Sequence, residues 1–405
     1  MISNSKFIKL KHYIVLIKGR NPKHFSDDSA QLPYLSMEYL RGKSIDVKYA
    51  VCQKDLVKVN QNDVLILWDG ANAGEIMLSK EGYLSSTMAW IKPNESIISK
   101  SFLYYLLRSY ESVLKDFSNG TTIPHLDPSI LLHSPFFIPS LTFQSAIARF
   151  LDKKTSLIDK AIDIKQKQIA LLKERRQIII QQAVTRGLDQ NVKMKDSGVE
   201  WIGEVPEGWE VVRLKNVAKI KYGLGQPPKE KPNGLPIIRA TNVERGMIVE
   251  KGLIFVDPDD VPWERDPILK ENDIIVVRSG AYTGDSAIVT EKYVGAIAGY
   301  DMVMTPRLIN GPFLAISMLA PYVLYHQLYL LRMRAAQPHL NAEELGETLI
   351  VQPSLKCQVQ IVEYIAIITQ KNNKAISLKE KEIEKLKEYK ATLINSAVTG
   401  KIKVC

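Results

Sequence analysis

The sequence reads LKERRQIIIQQAVTRGL at residues 172–188 and LKEYKATLINSAVTGKI at residues 386–402, so nearly the same phrase occurs twice, 214 positions apart. When the chain is aligned with itself at this offset, residues 123–185 match the second half without a gap. Gln144 then falls on Gln358, and the triplet PHL at 124–126 falls on PHL at 338–340. A period of this length far exceeds the repeat units of solenoid proteins, so it indicates one duplicated module.

Each copy of the module ends in a segment with the pattern of one long helix. No Pro or Gly occurs from residue 144 to 184, and Gly187 and Gly400 follow where a helix stop is expected. Lys165 and Lys379 interrupt the apolar stripe at the same position in both copies. The residues predicted to pair the two helices are Leu151, Ile158, Ile162, Ile169, Leu172 and Ile179 in the first copy and Ile365, Ile376, Ile383, Leu386 and Leu393 in the second.

An apolar stripe sustained over several heptads predicts a coiled coil. Each helix, at about 40 residues and 1.5 Å per residue, is expected to span about 60 Å. We expect the two copies to pack on each other in antiparallel direction, which would hold the globular parts at a fixed spacing. The alternative is that each helix packs only on its own domain.

The globular parts have the pattern of mixed α/β (α+β) domains. NDVLILWDGANAGE at 62–75 resembles NDIIVVRSGAYTGD at 272–285, and both predict a buried strand closed by a glycine-containing turn. The predicted fold is two such domains joined by two long antiparallel coiled-coil helices, with an internal pseudo-two-fold repeat. The predicted boundaries are 1–140 for the first domain, 141–190 for the first long helix, 191–352 for a linker and the second domain, and 353–405 for the second long helix.

One long apolar stretch, at 313–333, requires a decision between a core and a membrane. Pro321, His326 and Gln327 interrupt it, and several tyrosines share it. We therefore predict a buried helix pair and not a membrane span.

Composition narrows the class of protein. The chain has 405 residues, 45% of them apolar, and a net charge of +10. Such a surplus of positive charge fits a polyanionic partner, although a merely basic soluble protein would have it too. Cys52, Cys357 and Cys405 are too few and scattered for a disulfide framework, and the six histidines show no zinc spacing. With no apolar core of a signal peptide at 1–11, we expect a cytoplasmic protein.

Sequence motifs of catalysis are missing. The sequence contains no GxxxxGK[ST] phosphate loop, no [ND]PP[YFW] motif of amino-methyltransferases, no GxSxG elbow and no HExxH. This pattern favours binding over catalysis. A methyltransferase or nuclease with divergent motifs stays open as the enzyme alternative.

Residues suited to DNA contact occur in the predicted loops of both globular parts. Cations bind phosphates, and planar or amide donors read base edges. Arg278 is the sharpest candidate because it ends an apolar strand at a glycine-rich turn, and Trp68 holds the equivalent place in the first half. For each residue alone, a solvated surface side chain is the alternative. The candidates are Arg41, Lys43, Trp68, Asn72, Thr121, Thr122 and His125 in the first half, and Arg239, Asn242, Arg245, Arg278, Ser279, Tyr282, Arg332, Arg334, Gln337 and His339 in the second.

Two further motifs each have two interpretations. The paired glycines Gly70/Gly74 and Gly280/Gly284 either cradle a phosphate through backbone N–H groups or form a plain strand-turn-strand connection. The PHL triplets either present a histidine to DNA or stop the preceding helix.

Taken together, the chain resembles the specificity subunit of a type I restriction-modification enzyme along nearly its whole length. The resemblance rests on the doubled AVT helix ends, IPHL at 123–126 against QPHL at 337–340, the paired strands NDVLILWDG and NDIIVVRSG, and DSGVEWIGEVPEGWEVVRLKNV at 196–217. The first half departs from the pattern, since SKFIKLK at 5–11 lacks a counterpart of WIGEVPEGWE.

The resemblance implies a function and a set of partners. The globular parts would be target recognition domains, each reading one part of a bipartite, asymmetric site in double-stranded DNA. Two modification subunits would dock on the long helices, bind S-adenosylmethionine and methylate adenine N6. Restriction subunits would use ATP and Mg²⁺ to translocate and cut DNA. This chain would have no catalytic residue, cofactor or metal of its own and no membrane partner. A stand-alone two-headed DNA-binding or scaffold protein is the alternative.

Overall fold

The computed structural model describes residues 6–42, 46–117, 124–333 and 338–404. They form two compact units. The first unit comprises the chain up to Lys165 together with Glu380 onward, and the second comprises Gln166–Lys379. Each unit therefore contains one part of each long helix.

The first unit is built on a four-stranded antiparallel sheet in the order β2-β10-β7-β8. A three-stranded sheet, β4-β9-β6, and the pairs β1-β11 and β3-β5 complete it. The strands are β1 (Lys6–Lys9), β2 (Ile14–Lys18), β3 (Phe25–Ser26), β4 (Tyr34–Leu35), β5 (Tyr49–Ala50), β6 (Lys58–Val59), β7 (Val64–Leu67), β8 (Ile76–Leu78), β9 (Gly82–Leu84), β10 (Met88–Pro93) and β11 (Pro135–Ile138). The helices that begin in this unit are α1 (Met37–Leu40), α2 (Lys100–Asp116), α3 (Pro128–His133) and α4 (Leu141–Arg186).

The second unit repeats this plan with the sheet β15-β23-β20-β21 and the pair β14-β24. It also has a three-stranded sheet, β19-β16-β22, with one parallel pair as in the first unit, and it adds the pairs β12-β13 and β17-β18. The strands are β12 (Met194–Asp196), β13 (Glu204–Pro206), β14 (Glu210–Arg213), β15 (Ala218–Tyr222), β16 (Glu230–Ile238), β17 (Val243–Glu244), β18 (Met247–Ile248), β19 (Ile254–Val256), β20 (Ile274–Val276), β21 (Ser286–Ile288), β22 (Ile297–Ala298), β23 (Met302–Pro306) and β24 (Leu349–Gln352). The helices are α5 (Leu214–Val217), α6 (Gly311–Met318), α7 (Pro321–Val323), α8 (Tyr329–Arg332), α9 (Ala342–Gly346) and α10 (Leu355–Val398), with a π-helical turn at Leu324–Leu328.

The same local chemistry starts the central strand of each sheet. Asn62 and Asn272 adopt φ angles of 65° and 66°, a left-handed conformation that asparagine tolerates better than most residues. The next residue is a buried aspartate, Asp63 or Asp273, whose carboxylate accepts a hydrogen bond from a backbone N–H three residues earlier. In each unit the Asn-Asp pair thus forms a turn that leads into the buried strand, β7 or β20.

The long helices pair inside each unit. In the first unit, Ile158 of α4 shares a core with Leu393 and Ile394 of α10, and Asp159 forms an ion pair with Lys390 at 2.7 Å. The interrupting residue Lys165 forms an ion pair with Glu382, where both lie near the end of this unit. Because the partner number falls from 390 to 382 as the α4 number rises, the helices are antiparallel here.

The second unit shows the same pairing. Ile180 of α4 and Ile365 of α10 belong to one core, and Asn372 donates a hydrogen bond to the backbone oxygen of Leu172 at 3.2 Å. Lys379, the other interrupting residue, donates to Gln168 Oε1 at 2.7 Å. Every residue predicted to pair the helices is buried or half-buried: Leu151, Ile158, Ile365, Ile383 and Leu393 are buried, and Ile162, Ile169, Leu172, Ile179, Ile376 and Leu386 are half-buried. The predicted fold class, with its internal repeat and antiparallel long helices, is confirmed.

A buried glutamine fastens the start of each long helix to its domain. Gln144 accepts a hydrogen bond from the N–H of Ser99, the N-cap residue of α2, at 2.8 Å. Gln358 accepts one from the N–H of Asn310, the N-cap residue of α6, at 2.7 Å. Both side chains are fully enclosed and also donate to a backbone oxygen five residues earlier. The two glutamines match in the sequence because each makes the same hydrogen bonds between the start of a long helix and its domain.

The apolar stretch at 313–333 lies in the core of the second unit, as predicted. Phe313, Tyr322 and Leu328 are fully enclosed there. No single helix among the described residues is long and apolar enough to cross a membrane, although by length and composition alone the bent pair Gly311–Met318 and Pro321–Arg332 would pass.

The phrase WIGEVPEGWE, present only once, covers the end of α4 in the second unit. Ile202, Val205 and Trp209 pack in one core with Ile180 and Val184.

Candidate nucleic-acid interface

Two of the predicted DNA-binding residues of the first unit, Trp68 and His125, lie together at one edge of the main sheet, where the central strand β7 ends. Trp68 and Asp69 follow β7, and the PHL segment runs beside them: the N–H of Leu126 donates to the oxygen of Trp68 at 2.9 Å, and His125 forms a β-bridge with Asp69. Backbone pairing therefore fixes where the His125 side chain emerges.

The second unit has the same arrangement after β20. The N–H of Leu340 donates to the oxygen of Arg278 at 2.7 Å, and His339 forms a β-bridge with Ser279. In both units the PHL triplet thus pairs with the strand end and does more than stop a helix.

The glycine pairs form turns. Gly70 and Gly74 have φ angles of 111° and 90°, and a Cβ on Gly74 would lie 3.0 Å from the backbone of Leu114. The N–H of Ala73 donates to the oxygen of Gly70, and the N–H of Gly74 donates back to the end of β7. Since these N–H groups are used internally, the structure supports the strand-turn-strand interpretation over a phosphate cradle.

In the first unit the edge carries a compensated cluster of charges. The Lys18 ammonium lies 5.5 Å from the centre of the Trp68 ring and 3.1 Å from Asp69 Oδ2. His125 Nδ1 lies 2.7 Å from the other Asp69 oxygen. Partial desolvation acts to raise the pKa of Asp69, but the hydrogen bonds from His125 and Lys18 outweigh it and lower that pKa. The cluster presents an ionised carboxylate between two donors.

In the second unit the edge carries an arginine between two tyrosines. The Arg278 guanidinium carbon lies 4.6 Å from the centre of the Tyr222 ring and 4.1 Å from that of Tyr300. Its backbone N–H donates to Asp301 Oδ1 at 3.1 Å. Asp301 is only 3% exposed, and desolvation raises the pKa of its carboxyl to about 6 although hydrogen bonds from Arg278 and Ala240 oppose the rise.

The two edges use equivalent positions with exchanged chemistry. Lys18 and Tyr222 are the last residues of β2 and β15, and Trp68 and Arg278 lie at matching positions, each four residues after the first residue of β7 or β20. In the first unit the cation, Lys18, ends β2 and the aromatic ring, Trp68, follows β7. In the second unit the ring, Tyr222, ends β15 and the cation, Arg278, follows β20. Two equivalent backbones thus offer different groups to a ligand.

The raised pKa of Asp301 leads to a pH prediction. The folded state holds this proton more tightly than the unfolded chain, whose value is near 3.8. The resulting stability is fully present below about pH 4 and is lost as the pH rises through about 6. Relative to an Asp301→Asn variant, we expect the protein to lose about 1 kcal/mol of unfolding free energy between about pH 5 and about pH 7.5. Urea unfolding at both pH values measures this, and equal pH dependence in the two proteins would contradict it.

The predicted residues of the first half divide into three groups. Trp68 and His125 come together at the edge. Arg41 is engaged in an ion pair with Glu75, while Asn72 is exposed in the turn after β7. The remaining predicted residues, Lys43, Thr121 and Thr122, lie outside the described residues.

In the second half, Arg278, Ser279 and His339 come together at the edge. Tyr282 is 54% exposed in the adjoining turn, and Arg332 binds that turn by donating to the backbone oxygen of Ala281. Two more predicted residues, Arg334 and Gln337, lie outside the described residues.

Three other predicted residues lie around this edge in different roles. Arg239 shares a cavity of about 210 Å³ with Ser279, whereas Arg245 is exposed near the Tyr329 hydroxyl. Asn242 corrects the prediction: it is fully enclosed, and its amide donates to the backbone oxygens of residues 249 and 251. This asparagine shapes a turn and has no free group for DNA.

Sequence reasoning missed Lys18 and Asp69 in the first unit and Tyr222, Tyr300 and Asp301 in the second. A signal existed for two of them. Once IKLKHYIVLIKG at 8–19 is aligned with VRLKNVAKIKYG at 212–223, Lys18 falls on Tyr222 at the end of a strand. No equivalent signal marks Tyr300, because its place beside Arg278 depends on how the strands pair.

Comparison with known proteins gives one consistent family. The model of the type I restriction modification DNA specificity domain matches residues 3–174 and 206–388. The type I restriction enzyme MjaVIII specificity subunit of Methanocaldococcus jannaschii is 31% identical over 98% of this chain and 92% of its own length. The EcoBI specificity subunit of Escherichia coli is 26% identical over 76% of this chain and 66% of its own length.

A solved structure supports the fold. A chain from a study of complex assembly and conformational transition in the type I R-M system superposes with a TM-score of 0.72, at 15% identity, over 99% of both chains. With the family model covering most of the sequence, this chain belongs to the type I restriction-modification DNA specificity family.

Proposed function

We propose that this chain reads a bipartite, asymmetric site in double-stranded DNA and assembles modification and restriction subunits on its long helices. Each unit would contact one half-site through the edge of its main sheet. The modification subunits would methylate adenine N6. This goes beyond DNA sequence specificity as a family property, because it assigns the two readers and the assembly surface to parts of this chain.

The observation that carries the proposal is the pair of edges with one backbone plan and different side chains. Lys18, Trp68 and Asp69 occupy one edge, and Tyr222 and Arg278 occupy the equivalent positions of the other. Different donors and acceptors select different base pairs in the major groove. Two unlike readers in one chain favour an asymmetric target over a palindrome.

Exposed apolar side chains on α4 support the assembly role. Leu157 and Ile164 in the first unit are 53% and 56% exposed, and Leu171 and Ile178 in the second are 62% and 48% exposed. Within each unit the two residues are seven positions apart. Apolar residues at heptad spacing are typical of a helix that binds further helices.

The proposal assigns the cofactors to the partners. S-adenosylmethionine would bind to the modification subunits, and ATP with Mg²⁺ to the restriction subunits. This chain would bind none of them. Titration of the purified chain with each cofactor tests this assignment, and binding of S-adenosylmethionine by the chain alone would favour the enzyme alternative.

The experiment that tests the function is methylome sequencing. Cells would express this chain with its modification subunits, each component alone, or neither. We expect a methylated motif of two unlike parts separated by a spacer, and only when both components are present. A contiguous palindromic motif, or methylation by the chain alone, would contradict the proposal.

A variant of one exposed leucine tests the assembly surface. Leu157→Glu places a charge on the proposed helix contact, so we expect roughly tenfold less modification subunit to co-purify, as a loss of ~1.4 kcal/mol would give. Ser156→Glu adds the same charge on an exposed neighbour that points about 100° away, and should leave co-purification unchanged. Equal retention by the two variants would exclude this face as the contact. If no modification subunit is retained even by the unaltered chain, the stand-alone alternative gains support.

A further inference from the structure

We propose that Arg278 reads a guanine in the major groove, so that the half-site of the second unit contains a G·C pair at one fixed position. The inference rests on the proposed function and names the base that one side chain recognises. Four observations support it: the two rings that hold the guanidinium, its free donors, the absence of a close ion pair among the described residues, and its place at the end of the central strand.

The plane of the guanidinium is held before any DNA arrives. The Tyr222 and Tyr300 rings lie 4.6 and 4.1 Å from the guanidinium carbon, one at the end of β15 and the other just before β23. The Arg278 backbone is held as well, since its N–H donates to Asp301 and its oxygen accepts from Leu340. A stacked arginine therefore loses little rotational freedom when it binds a planar partner.

The terminal amino groups of Arg278 are the part left for a ligand. Nε is buried without a hydrogen-bond partner, whereas the two terminal amino groups are not enclosed and bond to no described residue. Tyr222 and Tyr300 are each 43% exposed, so the site opens to the surface. Arg278 therefore keeps two coplanar amino donors available to a ligand.

Among the described residues Arg278 forms no close ion pair, although its charge acts on the buried Asp301 carboxyl and opposes the rise in the pKa of that group. The equivalent edge of the first unit differs, because Lys18 is paired with Asp69 there. Other predicted arginines are also engaged, Arg41 with Glu75 and Arg239 with the backbone oxygen of Gly252. Arg278 thus has unused donors and no close ion-pair partner among the described residues.

The pattern of donors selects the base. Guanine offers two neighbouring acceptors, O6 and N7, in the major groove. Adenine offers one acceptor beside a donor, cytosine a donor, and thymine one acceptor beside a methyl group. A rigid fork of two donors matches guanine. If Arg278 contacted a phosphate instead, its removal would weaken binding to every sequence alike.

The test uses the full chain and chemically altered DNA. Selection from a randomised duplex library first gives the preferred site. Each guanine in that site is then replaced by 7-deazaguanine, which lacks the N7 acceptor but keeps base pairing. We expect one such replacement to weaken binding about 5- to 150-fold. With Arg278→Gln the same replacement should change affinity less than about twofold.

The outcomes separate this inference from the function on which it rests. Failure of the unaltered chain to select any site overturns the proposed function and this inference with it. A selected site at which every 7-deazaguanine acts equally on both proteins overturns the role of Arg278 alone. Tyr300→Leu keeps the charge of Arg278 but removes one stacking ring. It should therefore reduce the loss of affinity that 7-deazaguanine causes at that same guanine. This second variant keeps the inference testable if Arg278→Gln does not fold.

Discussion

A Leu172→Pro variant will lose the middle of α4 and, with it, the binding of modification subunits. Proline at this position removes the N–H that donates to the backbone oxygen of Gln168, and its ring clashes with that oxygen, at a cost of about 3 kcal/mol or more. Leu172 is half-buried, and its own oxygen accepts a hydrogen bond from Asn372 of α10. Hydrogen exchange should therefore accelerate in α4 around residue 172 and in the facing part of α10.

Thr142→Pro is the matched control. Thr142 is exposed in the first turn of the same helix, where proline is tolerated because the N–H has no intrahelical partner. This variant should keep the exchange pattern and the co-purified modification subunits of the unaltered chain. If Leu172→Pro behaved the same way, α4 would not be the continuous support that we describe.

A Lys100→Met variant will destabilise the first unit by about 3 kcal/mol or more, because it leaves a buried charge without its partner. The Asp63 carboxylate is completely enclosed, and one of its oxygens has the Lys100 ammonium, at 2.7 Å, as its partner. The other oxygen accepts a backbone hydrogen bond from Asn60 at 2.9 Å. Urea unfolding, followed by hydrogen exchange to assign the loss to the first unit, measures the effect.

Lys292→Met is the matched comparison for a surface pair. Lys292 and Glu250 also lie 2.7 Å apart, but both side chains are more than 60% exposed. Solvent screens such a pair, so we expect no measurable change in the unfolding free energy. Equal stability of the two variants would show that the Asp63 site does not need a cation.

Much of the fold could be predicted because the duplication repeats every local signal. The antiparallel helices follow from two matched heptad patterns, because neither helix can bury its apolar stripe alone. Gln144 and Gln358 align in the sequence because each binds the N-cap residue of a helix in its own domain. The three-stranded sheets could not be predicted in this way, because the parallel contact between β16 and β22 joins segments nearly 60 residues apart and that between β4 and β9 joins segments nearly 50 apart. Pairings of this kind are not encoded in local periodicity.

The site was predicted less completely, for a reason visible at Arg278 and Asn242. Arg278 could be selected because it follows an apolar strand at a glycine turn. Asn242 also has side-chain N–H donors and also lies in a predicted loop. In the structure, however, its amide donates to two backbone oxygens of its own turn. Whether a polar group is free depends on tertiary pairing. The two tyrosines beside Arg278 likewise come from elsewhere in the chain, one from the end of β15 and one from the loop before β23.

The division of the chain between the units affects how it folds during synthesis on the ribosome. The second unit is one uninterrupted stretch, Gln166–Lys379, whereas the first is closed by residues that come after it, including Leu393, Ile394 and Val398. At about 5–20 residues per second, the earlier part of the first unit waits on the order of tens of seconds for those residues. The half synthesised first is thus the half completed last, and its apolar helix face stays open to chaperones and proteases in the interval.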